Sequence, residues 1–492
     1  MAIETGAKYA ENLSLIERSQ AGDDAATEEL IRRNAGLVQS IAVKFCGRGT
    51  EFEDLVQIGN IGMLKAIRSF DAARGCVFST YAVPLIFGEI RRFLRDDGLI
   101  RVALDDPQCG YRTLMARHVY ADGWWNEGSP IYHFYPLGAV VMTADAVRCR
   151  NIDLYDEQLY NMFASPVRGV YPDLTFPAHN DGWYGESLIA QAGLFEAAYA
   201  RFRDPLFRDV LAQCYRYVER GGGYALLNPE RIAPASEPLR QESFRFEDAG
   251  FALLRSPEAT VVLKYGPHGG GHGHPDKLSI SVHDGRKELV SDFGTSAYGA
   301  PDYTKWYRKT LAHNTVTVDG RDQSETAGEF VAFESRPDGG MVAARADRAY
   351  PGVEMSRRLT LKGAGLSDRF VCRSDGTHRY DYVLLFNERP ALNGKSLGAV
   401  SFGEEPYARI RNAERYAFKR GFVIRTGDAE VRIDASAPVE VFVGEASGIP
   451  PTNPGVKTVS GSEKRPVQPA YPVIVRMTGR TMTIDAQWKI NP

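Results

Sequence analysis

Cysteine is scarce in this chain. Six residues in 492, at positions 46, 76, 109, 149, 214 and 372, form no CxxC pair. That pattern speaks for reduced, buried thiols and against a disulfide framework. Net charge is also nearly absent, at −3, so no global basic character drives binding to bulk nucleic acid, and any DNA contact must be local. No apolar run approaches the ~18 residues of a membrane-spanning helix. The opening MAIETGAKYAENLSLIERSQ holds no apolar signal core, which leads us to expect a cytoplasmic protein without a membrane partner. What remains is ordinary globular composition, 43% hydrophobic and 25% charged, enough for two or three domains.

The stretch from Pro267 to Gly320 carries most of the chemistry. It opens PHGGGHGHPDKLSISVHDGRKELVSDFGTSAYG, continues through YTKWYRKT and closes LAHNTVTVDG. His272 and His274 are two residues apart, so an extended backbone turns both imidazoles to one face. Leu278–His283 alternates apolar and polar, and Asp284-Gly285 reads as a hairpin turn. The returning strand carries Leu289, Val290 and then Asp292; a later strand, His313–Val318, begins with another His. Two His and one Asp from three strands suit a Zn²⁺ site with an open position, with His268 or His283 as alternative ligands.

The run HGHPDKLSISVHDGRKELVSDFG, followed by YRKTLAHNTVTVDGRDQ, resembles the C-terminal β-domain of heparinase II/III-like polysaccharide lyases. Members of that family cleave uronic-acid glycosides by β-elimination. The resemblance implies His272 as a catalytic residue and His274, Asp292 and His313 as Zn²⁺ ligands. It implies a catalytic Tyr132 in EGSPIYHFY, with Tyr135 as runner-up, and a second active-site Tyr at Tyr298. Trp124 and Trp125 suit the apolar faces of sugar rings, and Glu127 and Arg308 complete the expected substrate contacts. The family's carboxylate-neutralising Asn is not found upstream of Tyr132; His179-Asn180 lies downstream and is no substitute.

Upstream, the pattern is helical. Segments Ala10–Ala21, Ala25–Asn34, Leu37–Phe45, Phe52–Phe70 and Ser79–Asp97 place apolar residues at helical spacing. Phe78, Tyr81 and Phe87 suit stacking on unpaired bases, and Arg91, Arg92 and Arg95 suit phosphates. The residues NAGLVQSIAVKFCGRGTEFEDLVQIGNIGMLKAIRSFD and CVFSTYAVPLIFGEIRRFLRDDG resemble region 2 of bacterial sigma factors, of the sporulation and stress type. That resemblance implies contact with the clamp of core RNA polymerase through Asp54, Gln57, Gly59 and Lys65. It also implies −10 promoter DNA as a partner of the later helix. It stops after Val102, and no helix-turn-helix for the −35 element follows.

The expected layout is a multidomain α+β chain. A sigma region 2-like helical domain occupies 1–102 and a partial α/α toroid 103–223, with its first hairpins missing and helices expected at Asn151–Ala164, Tyr184–Phe202 and Leu206–Glu219. A Gly/Pro-rich linker follows at 224–247, then an antiparallel β-sandwich at 248–492, where short alternating strands recur between turns.

Overall fold

The computed structural model describes residues 12–47, 50–72, 77–94, 97–228, 230–239, 241–450 and 468–491. The chain divides into two compact units. One comprises Met1–Leu114 with Thr143–Ile152, the other Met115–Met142 with Asp153–Pro492.

In the first unit, helices at 12–20, Asp24–Arg33, Ala35–Ala42, Phe52–Ser69 and Phe78–Phe93 follow the expected order. Asp23 caps the second by accepting the Ala26 N–H at 3.1 Å, which satisfies one of the helix's free donors. The apolar stripes meet in one core of Val38, Ile41, Leu55, Met63, Ile67, Ala82, Ile86 and Ile90, among others. The Phe52–Ser69 and Phe78–Phe93 helices approach so closely that a Cβ on Gly62 would stand 2.6 Å from Ile86 Cα. The expected Ser79–Asp97 helix stops at Phe93, and a separate helix spans Asp97–Asp105.

The second unit carries helices Pro130–Arg148 (its first part), Glu157–Gly169, Ala192–Phe202 and Pro205–Cys214. Two starts differ from expectation. The helix expected from Asn151 begins at Glu157, because Asp156 accepts the Leu159 N–H at 3.0 Å and acts as its cap. The one expected from Tyr184 begins at Ala192 after a 3₁₀ turn at Leu188–Gln191; Gly185, at φ +83°, holds the preceding segment out of helix. Phe163, Phe195 and Phe207 bring three of these helices together, with ring centroids 5.9–6.1 Å apart.

From Phe244 onward, seventeen strands among the described residues join one hydrogen-bonded network. Segments that read as separate short strands are halves of two long ones, Gly365–Phe386 and Gln468–Ile490. These run antiparallel from Gly365↔Lys489 to Phe386↔Tyr471, with a register shift between Arg373 and His378. Side chains alternate between two cores: Tyr380, Tyr382, Leu384 and Phe386 enter one, Val383 and Leu385 the other, the period-two pattern of a sheet covered on both faces. The Ser279–His283 and Glu288–Val290 hairpin forms as expected, with Gly285 at φ +87° in its turn. The strand expected from His313 begins only at Val316. Cys214 and Cys372 are buried but Cys46, Cys109 and Cys149 are exposed, contrary to the expectation of buried thiols. No described helix is long and apolar enough to cross a membrane.

Candidate functional site

His272 and His274 do not share a face. Gly269 and Gly270 adopt positive φ and curl Gly270–His272 into a 3₁₀ turn, so the period-two argument fails. Gly273 between them has no room for a side chain, since a Cβ would run into His268 O. His272 keeps 29% of its side-chain surface. Its ring lies flat on Tyr132, centroids 3.7 Å apart and planes 14° from parallel. Its Nδ1 stands 3.2 Å from Glu127 Oε2, within ion-pair reach though not aligned for a hydrogen bond. The Tyr132 hydroxyl hydrogen-bonds that of Tyr298, which is 53% exposed. Burial pushes the Tyr132 phenol above its usual range, and the bond to Tyr298 offsets part of that. Burial and then Tyr132 push Tyr298 up as well. Both phenols are therefore neutral near pH 7. Tyr135 is 81% exposed and takes no part.

The edge of this cluster is set by Arg308. It donates from Nη1 to the Tyr303 hydroxyl at 3.1 Å and from Nη2 to Gly273 O at 2.9 Å. Its bonds go to a phenol and a carbonyl, and its charge also acts on the Asp181 carboxylate, which it helps to hold below its usual range. The two tryptophans separate. Trp124 is 3% exposed, enclosed by His133, Phe176, Phe246 and Phe251, and has no face left for a sugar. Trp125 is half-buried, with its ring stacked on His118 at 5.2 Å.

His274 is fully buried and its Nε2 lies 3.0 Å from Asp181 Oδ1. His313 is also buried, with Nδ1 3.2 Å from Asp292 Oδ2. The two rings stand 5.2 Å apart, centroid to centroid. Burial pulls His274 down to about 4. Burial also opposes charge on His313, but the Asp292 carboxylate outweighs it and holds that imidazole above its usual value. Among the described residues, the group of acidic and imidazole atoms mutually within 4.8 Å is Asp276, Asp292 and His313. The structure thus brings together two of the three expected ligands and sets His274 beside them, with Asp276 in the third place. Asp276 is engaged, however, by Lys264 and, at 3.2 Å, by Lys277. Burial would raise it, yet those two ammonium groups hold it well below the carboxylate range. The alternative ligands lie elsewhere: His283 stacks on Tyr171 at 4.5 Å, and His268 faces Glu325 at 3.6 Å.

Sequence reasoning missed Asp181 and Tyr303. Tyr303 donates its hydroxyl to Asp181 Oδ2 at 3.0 Å. Nothing in spacing ties Asp181 to His274, 93 positions away. Asn180 is buried: it accepts from Lys264 Nζ and donates to Glu127 O at 2.7 Å. One of its two amide N–H groups is thus held by Glu127 O, and its oxygen by Lys264.

In the helical unit, Asp54 and Gln57 are exposed on one helix, and Arg91 and Arg92 on another. Lys65 is paired with Glu89 at 2.7 Å, and Arg92 with the same Glu89 at 2.5 Å. Two expected contacts are not available. Gly59 is buried, where a Cβ would stand 2.6 Å from Val38 Cγ1, so it serves helix packing. Phe78 is 3% exposed, edge-on to Phe70 at 5.3 Å, so its ring belongs to the core. Tyr81 is half-buried, with its hydroxyl on Ser69. Phe87 is covered by Lys44 and Arg91, each 5.6 Å from the ring centroid. Arg95 lies outside the described residues.

Residues 30–99 match the sigma-70 region 2 family and residues 238–448 the heparinase II/III-like C-terminal family. A putative RNA polymerase sigma-G factor of Bacillus thuringiensis subsp. kurstaki is 46% identical over 106 residues, 22% of this chain and 85% of that protein. An alginate lyase of Stenotrophomonas maltophilia is 27% identical over 357 residues, 61% of this chain and 46% of that one. The chain spans only 35 to 40% of the length of the sigma-F factors it matches. Heparan sulfate lyase HepC from Pedobacter heparinus shares the fold, with a TM-score of 0.59 at 15% identity over 98% of this chain and 76% of that one. The chain therefore joins a sigma-70 region 2 segment to a heparinase II/III-like C-terminal domain.

Proposed function

We propose that the larger unit is a polysaccharide lyase that cleaves uronic-acid glycosides by β-elimination. The observation that carries this is the meeting of Tyr132, His272, Tyr298 and Arg308, drawn from separate segments around one partly open cluster. A uronate C5–H is weakly acidic, so its adjacent carboxylate must be neutralised while a base removes the proton and an acid protonates the leaving oxygen. Arg308 supplies the positive charge. The two hydroxyls already share a hydrogen bond, so the protons move one place each. The C5 proton passes to the Tyr132 oxygen, the Tyr132 proton to Tyr298, and the Tyr298 proton to the C4 oxygen. The C5–H pair becomes the C4–C5 double bond as the C4–O pair leaves. No step needs a phenolate at rest, which agrees with two phenols held above their usual range. His272, stacked on Tyr132 and facing Glu127, fixes the ring.

We further propose a Zn²⁺ ion held by His274, Asp292 and His313. His274 Nδ1 and His313 Nε2 are buried without a partner, but the described atoms mutually within 4.8 Å are those of Asp276, Asp292 and His313, so His274 would have to move closer for all three to share the ion. Purified protein should carry about one zinc per chain, and His274→Ala should remove it.

The test of activity is the absorbance of the unsaturated uronate product with alginate, heparan and hyaluronan oligomers. Tyr132→Phe should lower the rate by a factor of about 10² to 10⁴. No absorbance with any of the three polymers would defeat the proposal. A second reading, transcription initiation with an inactive lyase remnant, is favoured by the exposed Asp54 and Gln57. It predicts retention on core RNA polymerase that is lost when both become Ala, and it places the protein in the cytoplasm; equal retention of variant and parent would defeat it.

A further inference from the structure

We propose that a cavity beside Arg255 binds a small acidic sugar, whose carboxylate, sulfate or phosphate group meets that guanidinium. The cavity has a volume of about 650 Å³, within the range of small-ligand sites. It shares no lining residue with the cluster of Tyr132, His272, Tyr298 and Arg308, so the proposal does not rest on the lyase reading.

Arg255 ends the strand Phe251–Arg255 and is 6% exposed. Its main chain is pinned. The N–H donates to Ser243 Oγ at 2.8 Å, and Ser243 donates on to Gly339 O at 2.7 Å. The guanidinium bonds main-chain carbonyls. Nη1 donates to Glu242 O at 2.8 Å, and Nη2 to Arg168 O at 2.7 Å and Val170 O at 2.9 Å. Nε is buried without a partner. Three of the five N–H groups are thus used, and two remain. A buried cation is ordinarily paired with a carboxylate, as Arg357 is with Asp368 at 2.6 Å. Among the described residues no carboxylate pairs with Arg255, and burial pulls it down to about 9, opposed by the Tyr171 phenol. Capping the end of the Glu157–Gly169 helix accounts for the Nη2 bonds. Carbonyls at a helix end carry only partial negative charge, however, so the guanidinium is oriented by them while its charge lacks a counterpart.

The other charges on the cavity wall do not supply one. Arg336 is spent on Glu334, at 2.9 Å through both Nε and Nη2. Glu242 is exposed, and its carbonyl, not its carboxylate, meets Arg255. The rest of the wall suits a sugar body. Thr260 and Ser335 offer hydroxyls, and Pro257 and Pro337 offer apolar surface for the C–H faces of a ring.

The test is calorimetric titration of the full-length protein with glucuronate, glucose 6-sulfate and glucose 6-phosphate, with glucose as the neutral reference. At least one acidic sugar should bind about 10- to 100-fold more tightly than glucose, the scale of a hydrogen bond to a charged group. Whichever does so identifies the oxyanion. Ser335 lines the cavity and is exposed, so Ser335→Trp should fill the space with the fold intact and weaken that binding at least 10-fold. Arg255→Gln should weaken it as much; should that variant fail to fold, Ser335→Trp still decides. Tyr132→Phe should bind like the parent. If no acidic sugar binds more tightly than glucose, the proposal is overturned. It is equally overturned if Ser335→Trp binds as the parent does, or if Tyr132→Phe loses the binding, since the anion then sits elsewhere.

Discussion

Replacing Gly62 by alanine should unfasten the helix pair of the sigma-like unit. The residue lies in the middle of the Phe52–Ser69 helix, where alanine would normally gain about 1 kcal/mol in helix propensity. Here the added Cβ would stand 2.6 Å from Ile86 Cα, 2.9 Å from Leu85 O and 3.0 Å from Ile86 N. All three are main-chain atoms, so no rotamer change relieves the clash, and the helices must move apart. Overpacking of this kind costs about 1–3 kcal/mol, and backbone neighbours put it at the upper end. The net effect is a loss of about 1–2 kcal/mol, which lowers the transition of a unit this size by roughly 4–10 °C. Gly88→Ala is the matched control. It lies in the facing helix with nothing within 4 Å of its Cβ position, so it should gain the propensity alone, about 0.5–1 kcal/mol. Hydrogen exchange of peptides covering 52–69 in the full chain reads this unit without interference from the β region. Faster exchange in Gly62→Ala and slower or unchanged exchange in Gly88→Ala are expected. Unchanged or slower exchange in Gly62→Ala would refute the close-packing argument.

Three further outcomes follow from the same structure. Arg357 is buried with two bonds to Asp368 at 2.9 and 2.6 Å and two more to Leu278 O and Asn314 O, so Arg357→Met should cost about 3–5 kcal/mol in denaturant unfolding of the β region; a loss below 1 kcal/mol would contradict it. Glu186 is pushed up to about 8 by burial alone, against about 4.3 unfolded. The native state thus holds a proton that the unfolded chain has lost, and stability is fully present below the unfolded value and declines as pH rises towards 8. Glu186→Gln should flatten part of the fall in denaturant midpoint between pH 5 and pH 8, with Glu288, also near 8, retaining the rest; an unchanged slope would count against a protonated Glu186. Changing Arg91 and Arg92 together to Ala should reduce the salt slope for single-stranded −10 DNA by about 1.4, at roughly 0.7 per phosphate contact, whereas Phe78→Ala should cost about 3–5 kcal/mol of stability because its ring is core.

Elements fixed by local pattern were legible from the residues. The Phe52–Ser69 helix shows its apolar spacing, and the Asp284-Gly285 turn announces its hairpin. Elements whose pattern is set by surroundings were not. The Pro130–Arg148 helix contains Pro136 and buries Phe134, Leu137 and Val141 on one side while Tyr135 and Met142 stand exposed, and its aromatic density suggested a sugar cleft more readily than a helix. The two long strands were broken in reading by Ser374–Thr377 and by Gly479-Arg480, which look like turns. In the structure the first lies within a register shift of a continuous strand. Phe78 and Gly59 sat in a stretch whose resemblance advertised contact with DNA and polymerase, yet each is used inward. A resemblance carries residue types, whereas burial decides which of them face a partner.

The site itself illustrates why resemblance and structure divide the work as they do. His272, His274, Asp292 and His313 fall within about forty positions of each other, so a single motif can name them. The groups that give those residues their states come from far away in sequence. Tyr132 lies under His272, Asp181 under His274, and Lys264 at Asp276. Each of these contacts must be held against the loop entropy of a long closure, which grows only slowly with length but demands a rigid frame at both ends. Burial supplies that frame. Asp181, His274, Asp276, Asp292 and His313 are each 2% exposed or less, and at that depth an unpaired polar atom costs far more than one in water. Removing one partner therefore leaves a buried polar atom unpaired, at a cost of about 1–3 kcal/mol, so these long-range contacts hold the fold and the states of the site residues together.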